Sequence, residues 1–190
     1  MCKRLPTLLL LPLLMSCEDS LDKLYPQPQP VQLPAATQVG ANTFGCLVNG
    51  QVWEANNTRT LVGKVITPTV RYHGGELQLD AFRRLQVDGP ISNFHFVVGQ
   101  VTGPGVYELS QAQPGRQVQL KTTNGLVEYV ATEPQAGTLI ITRLDTTGAH
   151  PFVAGRFELR AIPSPVAPRS ADLPAEVRIT EGRFDIQLNP

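Results

Sequence analysis

The sequence predicts an all-β protein, an antiparallel meander of about ten to twelve short strands forming a sandwich or a barrel. Three observations carry this expectation. Apolar and polar residues alternate with a period of two in one short segment after another, as where Leu77, Leu79 and Ala81 interleave with Glu76, Gln78 and Asp80. Turn signals such as Asn49-Gly50, His73-Gly74-Gly75 and Gly103-Pro104-Gly105 punctuate these segments, roughly every 8–12 residues, as all-β domains require. No helical apolar stripe persists; the nearest candidate, Ala81 to Leu85, is too short to stand alone in water.

The first strand is expected after Ala41, where Phe44, Cys46 and Val48 alternate with Gly45 and Leu47. Asn49-Gly50 then marks a hairpin, because a type I′ turn needs positive φ at both central positions. Trp53 is the sole tryptophan and is expected to fill the core; stacking on a ligand is the alternative. Residues 58–72 are rich in Thr, Val and Ile and read as a strand broken at Pro68, hence an edge or a bulge. Asp88-Gly89-Pro90 turns the chain, and Phe94, Phe96 and Val98 then share one face, leaving His95 on the other. Val106 to Leu109 and the alternation around Val118 and Leu120 read as further strands. Asn124-Gly125 repeats the hairpin signal before Leu126 to Val130. Leu139-Ile140-Ile141 is continuously apolar, which predicts a strand covered on both faces. Phe157, Leu159 and Ala161 alternate with Arg156, Glu158 and Arg160. The stretch from Ile162 to Pro174 holds Pro163, Pro165, Pro168 and Pro174 and reads as a loop. Val177 and Ile179 are expected to run into a Glu181-Gly182 turn. Phe184, Ile186 and Leu188 then point inward, with Arg183, Asp185 and Gln187 outward.

The N-terminus has the composition of a secretory signal: Lys3 and Arg4, an apolar run from Leu5 to Met15, and the small Ser16 before Cys17. The run is shorter than the ~20 residues that span a membrane, and Pro6 and Pro12 interrupt it. Leu14-Met15-Ser16-Cys17 resembles the lipobox of bacterial lipoproteins. The resemblance implies cleavage before Cys17, diacylglycerol on its thiol and an acylated amine. It also implies a cell-envelope address, lipid-anchored at the outer membrane on its periplasmic or surface face. Two or more chains are needed for stable anchoring, since one acyl chain holds only reversibly. The expected organisation is a signal peptide at 1–16, the lipidated Cys17 with a disordered Pro/Gln-rich tether at 17–40, and a single β-domain at 41–190. The prolines between Tyr25 and Gln38 favour extended polyproline II, a semi-rigid spacer; a Pro-rich ligand for a partner domain is the alternative. Glu18, Asp19 and Asp22 resemble a surface-export signal of some Gram-negative groups, or begin a solvated tether.

The whole chain has 16 basic and 16 acidic residues; Lys3 and Arg4 leave with the signal, so a mature chain carries 14 against 16, a formal charge of −2. That balance excludes the electrostatic footprint of a nucleic-acid binder and a polybasic membrane patch. With Cys2 removed and Cys17 acylated, Cys46 stands alone, so the domain has no internal disulfide and Cys46 is expected to be buried. His73, His95 and His150 are far apart and no close Cys/His spacing occurs, so neither a metal nor another cofactor is expected. Ser20, Ser92, Ser110, Ser164 and Ser170 lie outside any nucleophile-elbow pattern. The carboxylates Asp80, Asp88, Glu108, Glu128, Asp145, Glu158 and Asp185 are scattered, and most are expected on solvated faces. Asp145-Thr146-Thr147 and Asp19-Ser20-Leu21 resemble sites of a bacterial O-glycosylation system, or are ordinary turns.

Four stretches, Gly50-Gln51-Val52-Trp53, Gly105-Val106-Tyr107, Gly155-Arg156-Phe157-Glu158-Leu159 and Ile179-Thr180-Glu181-Gly182-Arg183-Phe184-Asp185, together resemble a domain of unknown function found in small Gram-negative envelope lipoproteins. That family has no established activity and brings no catalytic residues. The expectation is a non-catalytic β-domain, held on membrane lipid through Cys17, that binds a small apolar ligand, a glycan or an envelope protein. A structural or inhibitory partner in an envelope assembly is the alternative, and an envelope hydrolase a third. In a sandwich, the binding loops would include 145–152 and 162–174.

Overall fold

The computed structural model describes residues 32–60, 63–65, 68–84, 90–122, 126–166 and 173–189. The signal segment with Cys17, the acidic residues Glu18, Asp19 and Asp22, and Ser20 lie outside the described residues. So do Asp88-Gly89, Asn124-Gly125, Ser170 and the middle of the 162–174 stretch.

Among the described residues the elements are all strands: β1 Thr43–Val48, β2 Gln51–Glu54, β3 Asn56–Thr60, β4 Gly63–Val65, β5 Thr69–His73, β6 Glu76–Arg84 and β7 Ser92–Val98. They continue as β8 Gly105–Leu109, β9 Arg116–Thr122, β10 Val127–Val130, β11 Gly137–Asp145, β12 Phe152–Pro163 and β13 Val177–Gln187. The count exceeds the expected ten to twelve because the 58–72 segment, read as one interrupted strand, is divided among β3, β4 and β5.

Pairing is antiparallel apart from a short parallel contact of β3 with β6 and a bridge between Val70 and Leu188. One flank of the sheet runs β2-β1-β13-β12-β11-β8; the other runs β10-β9-β7-β6 and continues into β5, β3 and β4. The two are joined where the end of β12 pairs with β10, Ile162 opposite Val130 and Pro163 opposite Tyr129. The sheet therefore curls into a half-barrel, and its concave side is filled by side chains. The hairpins β1–β2, β5–β6 and β11–β12 follow the meander. The long-range pair of β1 with β13 departs from it.

Local chemistry explains the turns. Asn49 and Gly50 sit at φ 50° and 78° and Gly74 and Gly75 at 57° and 82°, so both hairpins use the turn that matches the strand twist. Three expectations need correction. Glu181-Gly182 is a bulge inside a continuous β13: Phe157 faces Gly182 and Leu159 faces Ile179, so Thr180 and Glu181 together oppose Glu158. Ile162 and Pro163 belong to β12, since Pro163 ends the strand where it needs no further N–H. Leu139 and Ile141 are buried but Ile140 is 40% exposed, because the outer face of β11 is bare.

The core sits between the flanks. Phe44 of β1 meets Phe94 and Phe96 of β7 at 5.5 and 6.0 Å, stacks on Phe157 at 5.0 Å, and takes the edge of Trp53 at 5.6 Å. Trp53 is core, as expected, and its Nε1 donates to Ser92 Oγ at 2.8 Å. β12 and β13 are clamped by two reciprocal pairs: Gly155 faces Phe184 and Phe157 faces Gly182. A Cβ on Gly155 would lie 2.6 Å from the Phe184 ring, and one on Gly182 would lie 2.6 Å from the Phe157 ring. Each ring lies over the glycine opposite, so the glycines are required by close approach.

Residues from Pro34 onward pack against the sheet, ahead of the expected start at 41. Pro34 lies over Gly45, where a Cβ would come within 2.5 Å of its Cδ. Beyond it, Asp185 takes up the donors of the next residues. Its Oδ2 accepts from Thr37 Oγ1 at 2.6 Å and the Val39 N–H at 2.9 Å, and its Oδ1 from the Gly40 N–H at 2.7 Å. Asp185 points outward as predicted, yet it is 1% exposed because this strap covers it.

Candidate functional site

The strap forms one wall of a groove of about 590 Å³ on the outer face of β11, β12 and β13. Strand alternation builds the rest. Turning Leu139, Ile141, Phe157 and Phe184 into the core turns Thr138, Ile140, Arg156, Glu158 and Arg183 outward, and these line the groove with Ala36 and Glu181. The register aligns Val106, Ile140, Arg156 and Arg183 in one row across β8, β11, β12 and β13. Val106 is 72% exposed, so the row runs from an apolar end to a pair of facing arginines.

Like charges directly opposite each other cost ~0.2–1 kcal/mol. Arg183 is relieved internally: its Nη2 donates to Glu181 Oε2 at 3.1 Å and its Nη1 to the Pro34 carbonyl at 3.4 Å. The side chains of Arg156 and Glu158 make no hydrogen bond or ion pair among the described residues. They stand two positions apart on β12, ~6.6 Å by strand rise, and face outward. The groove thus offers one uncommitted cation, one uncommitted anion and an adjoining apolar strip.

The residues singled out in the sequence mostly do not converge. His73 lies exposed at the β5–β6 turn, and His150 lies exposed before β12. His95 is on the face opposite Phe94 and Phe96, as predicted, with its Nδ1 2.6 Å from Asp80 Oδ1 on the open sheet. Among the described residues, no group of three or more His, Cys, Asp and Glu is placed to hold a metal. Cys46 is buried, and burial pushes its thiol well above the ordinary value, which leaves it unreactive. Ser92 serves Trp53, and Ser110 Oγ accepts from the Ala112 N–H at 3.1 Å. Glu108 accepts from the Gln135 N–H at 2.7 Å. Asp145 accepts from the N–H groups of Thr147 and Gly148, which hold its carboxyl below the usual range. Glu128 stands on the outer face of β10, opposite Lys121. The loop at 145–152 is a turn capped by Asp145, and the groove lies apart from it on the sheet.

Asp185 is the residue whose role the sequence concealed. Burial alone would raise its pKa, but hydrogen bonds from the Thr37 hydroxyl and the Val39, Gly40 and Ala41 amides outweigh burial and hold the carboxyl below its ordinary value. An aspartate in an alternating strand has the pattern of a solvated residue, and only the strap reveals otherwise.

Comparison with known protein families, with curated proteins and with solved structures found no match to this chain.

Proposed function

We propose that the chain is an outer-membrane-anchored envelope lipoprotein whose β-domain is a non-catalytic docking module. Acylated Cys17 holds it on membrane lipid, and the groove on β11–β13 receives an extended segment of an envelope protein. The observation that carries this reading is the pairing of uncommitted Arg156 and Glu158 beside exposed Ile140 and Val106. Side chains of an extended peptide on one face repeat every two residues, the same interval that separates Arg156 from Glu158. A partner segment carrying an acid and a base at that spacing would match both charges and lay an apolar residue on Ile140. An interior apolar ligand is disfavoured, since Phe44, Phe94, Phe96 and Phe157 already occupy the concave side.

The test is site-specific photo-crosslinking in the native envelope. A crosslinker at position 140 is expected to give one discrete protein adduct that disappears in Arg156→Glu, while one at position 117, on the other flank, does not give that adduct. Equal yields with and without Arg156→Glu would overturn the groove reading.

A further inference from the structure

The other flank carries a second surface built for a different ligand. Register places Phe82, Asn93 and Lys121 in one row across β6, β7 and β9, and Asp80, His95 and Gln119 in the next. All six face outward, because Leu79, Ala81, Phe94, Phe96, Val118 and Leu120 take the core side. Phe82 breaks the alternation: it puts an aromatic ring, 38% exposed, beside side chains that are all polar in these two rows. A depression of about 270 Å³ beside it is lined by Asp80, Phe82, Ile91 and Asn93.

We propose that this patch is a carbohydrate-binding site for neutral pyranose units, independent of the groove. A pyranose has an apolar face of C–H groups and a rim of vicinal hydroxyls. An exposed aromatic ring takes the former, and planar amide, carboxylate and imidazole groups bridge the latter through paired donors and acceptors. The side chains of Asn93, Gln119 and Lys121 make no hydrogen bond among the described residues, so their donors and acceptors are open to a ligand. The 2.6 Å contact between His95 Nδ1 and Asp80 Oδ1 orients both groups while leaving His95 Nε2 and Asp80 Oδ2 available. Charge selects the class. Asp80 and Glu128 are negative and Lys121, which Glu128 faces, is positive, a formal sum of −1 that disfavours an acidic sugar.

The experiment uses the full-length acylated protein in detergent micelles on an array of neutral and uronic-acid oligosaccharides, followed by calorimetry with the best-retained neutral glycan. Retention of at least one neutral glycan is expected, with affinity falling about tenfold or more in Phe82→Ala and also in Asn93→Ala. Arg156→Glu in the groove should leave it unchanged. Both substitutions are at solvated positions, and an unaltered circular dichroism spectrum confirms that the fold is kept. Retention of no neutral glycan, retention of uronic acids alone, or affinity that survives Phe82→Ala would each overturn the proposal. Since the groove test reads a protein adduct at position 140, failure of one leaves the other standing.

Discussion

Replacing Asp185 by asparagine removes the charge beneath the strap and one of its two acceptor oxygens. In the native protein Oδ1 serves the Gly40 N–H, and Oδ2 serves both Thr37 Oγ1 and the Val39 N–H. Whichever way the amide is turned, its NH2 faces at least one backbone N–H, and a hydrogen bond to a charged group contributes ~1.5–3 kcal/mol. Leaving a buried donor unsatisfied costs ~1–3 kcal/mol more, so the expected loss is ~2.5–6 kcal/mol. Urea denaturation reads the loss, and hydrogen exchange localises it, with the Val39 and Gly40 amides losing protection first. The pH dependence follows from the direction of the shift. The folded carboxyl titrates below its ordinary value, so its stabilisation is complete above the unfolded value of ~3.9. It is lost as pH falls through the lower folded value. Asp185→Asn should abolish that part of the acid sensitivity. A variant within ~0.5 kcal/mol of the native protein, with unchanged protection at Val39 and Gly40, would refute the reasoning.

Gly182→Ala should destabilise the domain by ~3 kcal/mol, because the new Cβ would lie 2.4 Å from the Phe157 carbonyl oxygen; thermal unfolding measures it, and a change near zero would remove the reciprocal Gly/Phe clamp from the account. Trp53→Phe should cost ~1–2 kcal/mol through loss of the Nε1 bond to Ser92 and of packing volume, read by denaturant titration. Cys46 should resist thiol reagents in the folded protein even at alkaline pH and react only on unfolding, which labelling with and without denaturant checks. Ile140→Asp should leave stability within ~0.5 kcal/mol while weakening partner capture, as a pull-down without crosslinking, probed for the partner identified by its adduct, would show.

Local pattern made much of the fold readable. Period-two alternation placed Phe44, Cys46, Phe94 and Phe96 inside and His95 outside, and the Asn49-Gly50 dipeptide specified its hairpin through the φ values that only such residues adopt readily. What stayed hidden depends on partners distant in sequence. Nothing near Thr43 announces that β1 pairs with β13. The apolar run at Leu139-Ile140-Ile141 cannot reveal that one face of β11 is left bare. Glu181-Gly182 has turn composition, yet Gly182 is selected by the Phe157 ring across the strand, and the strand continues beyond the bulge. The groove was least legible of all. Arg156 and Glu158 have the composition of any solvated strand face, and only the register that sets Arg156 beside Arg183 and Ile140 distinguishes them.

The proposed fatty-acylated anchor at Cys17 is tested most directly by the intact mass of the protein extracted from native membranes. The expected species lacks residues 1–16 and carries diacylglyceryl and fatty-acyl groups on Cys17. A protein recovered in the aqueous fraction with an unmodified Cys17 thiol would contradict it.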